Sequence, residues 1–169
     1  MSIENAHYPV EIFGYPIGNK TKEAIEHRNI YRCPFLNDTC NKQSRLIEYP
    51  MGVCTVLHLG NKIPICPQRL LQDSQVFIDI CNDYFGSIDN VLLFSEVGLN
   101  NVGTFDFVLV KHKPISSKVE DFCAVEFQTD STTGTGALVK SLDDFMNDKD
   151  ITQQRYSYGM NTYNTIKLS

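Results

Sequence analysis

The chain has 169 residues, 42% of them hydrophobic and 21% charged, a composition that excludes intrinsic disorder and collagen-like repeats. No apolar run approaches the roughly 20 residues that cross a bilayer. The N-terminus MSIENAHYPVEIFGYP has neither a basic start nor a continuous apolar stretch, so the reading is a cytoplasmic protein without a membrane span.

Net charge is -5 and is unevenly divided: residues 1–70 carry 8 Lys/Arg against 6 Asp/Glu, and residues 71–169 carry 7 against 14. The balance argues mildly against whole-surface attraction to phosphate backbones. The surplus carboxylates are a solvated surface or the raw material of a site for hard divalent cations.

Up to about residue 70 the sequence is heavily punctuated. Pro34, Pro50, Pro64 and Pro67, with Gly52 and Gly60, interrupt each short apolar stretch, leaving room only for small strands such as 53–58. Such a segment lacks the continuous apolar surface to fold on itself without a staple. Residues 70–85 then show helical spacing that ends at Gly86. VLLFSEVG from Val91, TFDFVLVK from Thr104 and DFCAVEFQ from Asp121 read as three strands, with HKPISSKVE as a hairpin loop between the last two. Helical patterns return at 136–146 and 151–168.

Four of the six cysteines, Cys33, Cys40, Cys54 and Cys66, follow the spacing C-x6-C-x13-C-x11-C. Thiols of an unsecreted chain stay reduced, and four soft thiolates favour a tetrahedral zinc or iron site. Each lies beside a turn-forming or polar residue, where a ligand is presented, although small buried hydrophobes would also satisfy the pattern. A closed structural site would contribute on the order of 10 kcal/mol to folding. His58 reads as a surface or packing histidine, and Cys81 and Cys123 as buried thiols on a helix face and a strand.

The second candidate constellation is acidic. Asp106 lies at the centre of TFDFVLV, while Glu126 and Gln128, two apart, share one face of VEFQ with aromatic and aliphatic residues on the other. Carboxylates on adjacent strands among apolar neighbours cost desolvation energy unless a cation compensates. Mg2+, which takes one or two carboxylates, waters and a substrate phosphate, would do so, and solvent-facing residues of an antiparallel sheet would give the same alternation.

In series, CPFL at Cys33, the following Cys40, GVC ending at Cys54, ICPQRLL from Ile65, the strand with FDF and VEFQT from Val125 resemble the NotI family of Type II restriction endonucleases from about residue 30 onward. The resemblance implies an α/β, restriction-endonuclease-like mixed sheet flanked by helices. A small irregular metal-binding segment with four cysteines at 1–69 would precede a partial PD-(D/E)XK core at 70–169. It implies that Asp106 and Glu126 hold catalytic Mg2+, that Gln128 stands where the superfamily has a lysine and polarises the attacking water, and that Glu96 is an auxiliary acid. In-line attack would leave a 5'-phosphate and a 3'-hydroxyl.

Cys33, Cys40, Cys54 and Cys66 would match a structural iron site, with zinc as the alternative metal. Implied partners are double-stranded DNA, a second copy in a homodimer and a companion DNA methyltransferase. Lys140, Gln153, Gln154 and Arg155 are candidates for base contacts by position. Because such a core continues with a further strand after its last helix, the chain reads as a C-terminally truncated member. The competing class is a non-catalytic, metal-stapled module that binds DNA or protein.

Overall fold

The computed structural model describes residues 7–127, 131–133, 135–154 and 156–161. The chain divides into two units, one made of Met1–Arg69 with Thr129–Ser169 and the other of Leu70–Gln128. The division expected from the sequence is into 1–69 and 70–169, whereas residues 129–169 group here with the first unit.

The first unit is built on a four-stranded antiparallel sheet ordered β2-β1-β5-β6, comprising β1 (Tyr8–Ile12), β2 (Tyr15–Pro16), β5 (Val53–His58) and β6 (Asn61–Pro64). Two-residue turns close both of its hairpins. Phe13 and Gly14 take φ of 48° and 78°, and Leu59 and Gly60 take 48° and 79°, the doubly left-handed turn that matches strand twist. Between the hairpins lie α1 (Lys22–Asn29) and the short pair β3 (Arg32–Cys33) and β4 (Asp38–Thr39). Thr21 caps α1, its hydroxyl accepting from the Ala24 amide at 3.3 Å. Sequence patterning did not single out β1, β2 or α1. The helix is short and mostly polar, burying only Ala24 and Arg28.

The N-terminal segment does not build its core from its own residues alone. After β10 (Ser131–Thr133), helix α3 (Thr135–Met146) supplies Leu138, Val139 and Leu142, which join Ile12, Phe13, Met51, Val53, Val56 and Ile65 in one buried cluster. Burying each large aliphatic side chain is worth about 1.5–3 kcal/mol.

The helix expected over 151–168 does not form in its described part. Ile151, Tyr156 and Tyr158 are buried while Ser157 is exposed, so burial alternates over 156–158 as in an extended chain. Residues Gly159–Asn161 form β11, antiparallel to β10. Residues 162–168 lie outside the described set.

The second unit begins within a 3-10 turn over Pro67–Gln72 and continues as α2 (Gln75–Phe85), so the helix expected from residue 70 starts later. Helix α2 ends where Gly86 adopts φ 77°. Strands β7 (Val91–Leu99), β8 (Gly103–His112) and β9 (Val119–Val125) form an antiparallel sheet in that order. One face packs on α2: Phe77 and Cys81 meet Phe107 and Leu109, with the Phe77 and Phe107 rings edge to face at 4.9 Å.

All the described strand pairs are antiparallel and fall into four sheets, so the expected single mixed sheet is not what these residues build. Short connections force that sense within β1–β2, β3–β4, β5–β6, β7–β8 and β8–β9, because a parallel pair needs a crossover of a dozen or more residues. Among the described residues no helix is long and apolar enough to cross a membrane.

Candidate active site

Alternation along β8 separates its two roles. Phe107 and Leu109 are buried against α2, whereas Asp106 lies on the opposite face and is half-buried. The pairing Phe107↔Val125 places residue 126 across from Asp106, one position beyond the end of β9. The pairs Ser95↔Phe107 and Val97↔Phe105 place residue 96 across from Asp106 on the other side. Glu96, Asp106 and Glu126 therefore occupy one row across the three-stranded sheet.

Two features of this row are chemically informative. The Phe127 amide donates to Asp106 Oδ2 at 3.1 Å, which fixes the carboxylate. The Glu126 carboxyl is raised above its ordinary value, first by partial burial and second by the negative charge of Asp106. Glu96 adopts φ 51°, a left-handed conformation that costs a non-glycine residue of order 1 kcal/mol or more in mid-strand. Gln128 lies outside the described residues.

The four clustered cysteines all belong to the first unit and are buried. Cys33 ends β3, Cys40 follows β4, Cys54 lies in β5 and Cys66 follows β6. A hydrogen bond from Cys54 pulls the Cys66 thiol down to about 6, assisted by the charge of Lys42, and the same bond raises Cys54. Burial pushes Cys40 up to about 11, with the charges of Cys33 and Cys66 adding to it, and Cys33 is likewise raised by burial and by Cys66. Cys66 is thus electrostatically linked to the other three. Among the described residues, however, no three His, Cys, Asp or Glu side chains stand in an arrangement that could hold a metal ion, at the thiols or at the acids.

The remaining candidates fall elsewhere. His58 is a half-buried packing residue, its ring 4.4 Å from that of His7. Cys81 is buried, whereas Cys123 is only partly so. Lys140, a candidate for base contact, binds Asp144 at 2.7 Å and lies over the Tyr156 ring, a structural role. Gln153 and Gln154 are exposed in a turn rather than on a helix, and Arg155 lies outside the described residues. Sequence reasoning missed the Phe127 amide and Lys42. A backbone donor has no residue signature, and Lys42 is marked only by its place two residues after Cys40.

No curated protein matches the chain. The family model described as Restriction endonuclease NotI matches residues 11–157, spanning both units and every candidate acid and thiol, and the chain belongs to that restriction endonuclease family.

Proposed function

We propose that the chain is a Mg2+-dependent Type II endonuclease that hydrolyses phosphodiesters of double-stranded DNA at a specific sequence, with Asp106 and Glu126 as its metal-holding acids. The observation that carries this reading is the register that sets Glu126, one residue past the end of β9, across from Asp106, with Asp106 anchored by the Phe127 amide and the Glu126 carboxyl raised by desolvation and by the charge of Asp106. Two repelling carboxylates with one more acid at the same row fit the chemistry of a small hard cation.

When bound, Mg2+ supplies a Lewis acid that lowers the pKa of a water and offsets charge on the scissile phosphate. Asp106, fixed at Oδ2, orients the site, and Glu126 at the end of β9 completes the pair. Glu96 is the auxiliary acid. Gln128 orients the attacking water through its amide and, being neutral, leaves the charge of the phosphate to the cation.

Cys33, Cys40, Cys54 and Cys66 are proposed to hold a structural iron, or zinc. Support comes from the donor type and from the charge coupling of Cys66 to the other three thiols. A bound ion would be held by these four thiolates as a closed structural site. The reading extends to a cytoplasmic homodimer acting on palindromic sites beside a companion methyltransferase.

The test is cleavage of DNA by the purified chain with Mg2+ and its loss in Glu126→Ala, with circular dichroism unchanged. Cleavage that survives the substitution refutes the assignment of the acids, and DNA binding without any cleavage by the unaltered chain refutes the enzymatic reading.

A further inference from the structure

Arg28 is a buried charge without a counter-ion among the described residues. It is 6% exposed, and its guanidinium donates to three carbonyls, those of Asn19 at 2.7 Å, Pro16 at 2.7 Å and Tyr15 at 3.4 Å. Among the same residues its Nε has no acceptor and no carboxylate pairs with it. Dipoles alone compensate a positive charge incompletely, so a buried ion without a counter-ion keeps part of its desolvation cost.

The same side chain borders a cavity of about 240 Å³ within the first unit, lined also by Lys20, Asn29, Phe145 and Asp148. A second cavity of about 300 Å³ shares Lys20, Phe145 and Asp148 with it. The Phe145 ring lies beneath both cations, with Arg28 Cζ 5.1 Å and Lys20 Nζ 6.0 Å from its centroid. With Lys20 and Arg28 against Asp148, the charge lining the first cavity is +1. Its volume equals that of about eight waters, room for a phosphoryl group with part of its hydration.

We propose that this cavity is a phosphoryl-oxyanion site, in which Lys20 at the mouth and the Asn29 amide bind the oxygens and Arg28 supplies the field that makes an anion favourable there. Arg28 does two things at once: it ties the 15–19 loop to α1, and it positions that loop so that Lys20 borders the cavity. The phosphoryl group belongs either to a DNA backbone or to a free phosphate. The DNA source rests on the nuclease reading above, and the anion site does not.

The test uses the whole chain. Inorganic phosphate is titrated at constant ionic strength and followed by amide resonances of Asn29 and Met146. Saturable shifts are expected with phosphate and not with chloride, and Lys20→Glu should weaken binding by about tenfold. Lys20→Arg should restore it. Arg28 itself is left intact because removing its three carbonyl bonds would loosen the loop.

Duplex DNA is then titrated without Mg2+, so that cleavage does not intervene. If the backbone is the source, Lys20→Glu lowers duplex affinity and reduces the slope of log affinity against log salt by about one. Phosphate binding with duplex affinity indifferent to Lys20 supports the site and assigns it a free phosphate. Phosphate binding with no duplex binding at all supports the site while refuting the nuclease reading. Absence of saturable phosphate shifts, or equal shifts in Lys20→Glu, overturns the proposal.

Discussion

Leu142→Ala tests whether α3 completes the core of the first unit. Leu142 is fully buried at 0% exposure in the cluster that holds Ile12, Val53 and Tyr158. The truncation forfeits about 2.4 kcal/mol of transfer energy at roughly 0.8 per methylene, and the residual cavity brings the total to about 3–5 kcal/mol. For a chain of this size that lowers Tm by about 6–20 °C. Against a typical stability of about 5–15 kcal/mol it leaves the unit marginal.

Urea unfolding followed by tyrosine fluorescence reads this selectively. The chain has no tryptophan, and Tyr8, Tyr15, Tyr31, Tyr49, Tyr156 and Tyr158 lie in the first unit while Tyr84 lies in the second. Tyr31 and Tyr49 stack at 5.3 Å between ring centroids, so their signal changes when the unit opens. A double-mutant cycle with Ile12→Val should show coupling of about 0.5 kcal/mol or more if the two side chains share one packing site. A midpoint shift worth less than about 1 kcal/mol at unchanged m-value would refute the placement of α3 in this core.

The other predictions concern charge and metal. Glu126 binds its proton more tightly in the folded chain, so its ionisation costs stability as pH rises through the folded value. Glu126→Gln should therefore melt higher than the unaltered chain at about pH 7 in EDTA and equal to it near about pH 3.5, below the ordinary carboxyl range. Added Mg2+ should stabilise only the unaltered chain, and equal Mg2+ responses would exclude Glu126 as a ligand. Asp144 is buried and accepts from Lys140 and Lys149, each at 2.7 Å, and from Tyr156 Oη at 2.9 Å. These bonds hold its carboxyl well below the usual range, so its contribution is present above about pH 4 and fades as pH falls further. Both lysines are more than half exposed, at 63% and 55%, and solvent screens them. The magnitude of Asp144→Ala accordingly rests on the orphaned Tyr156 hydroxyl, about 1–3 kcal/mol, with a flattened acid limb in Tm against pH. Elemental analysis of the purified chain should find about one iron or zinc per chain, reduced in Cys66→Ser, with a visible thiolate-to-iron band if the metal is iron. Metal-free protein that melts unchanged after chelation counts against the cysteine site.

Where patterns were local, sequence periodicity matched the structure closely. Period-two alternation marked β8 around Asp106, and helical spacing closed by Gly86 marked α2. The pattern failed where burial came from remote residues. Ile151, Tyr156 and Tyr158 read as part of one helix, yet they cover the first unit's core from an irregular and extended segment. Helix α1 escaped notice because its stability comes from the Thr21 cap and Arg28 rather than from an apolar stripe.

By itself, the sequence determined the inventory: the match over residues 11–157 that places the chain in its family, and the alternation that puts Asp106 and Phe107 on opposite faces. Tertiary structure decided the partners. Register alone set residues 96 and 126 across from Asp106. Packing alone sent α3 to the N-terminal sheet and left Arg28 without a counter-ion among the described residues. The physical reason is that periodicity encodes which face of an element is apolar, whereas the choice of which apolar face meets which depends on non-local burial that no window of sequence contains.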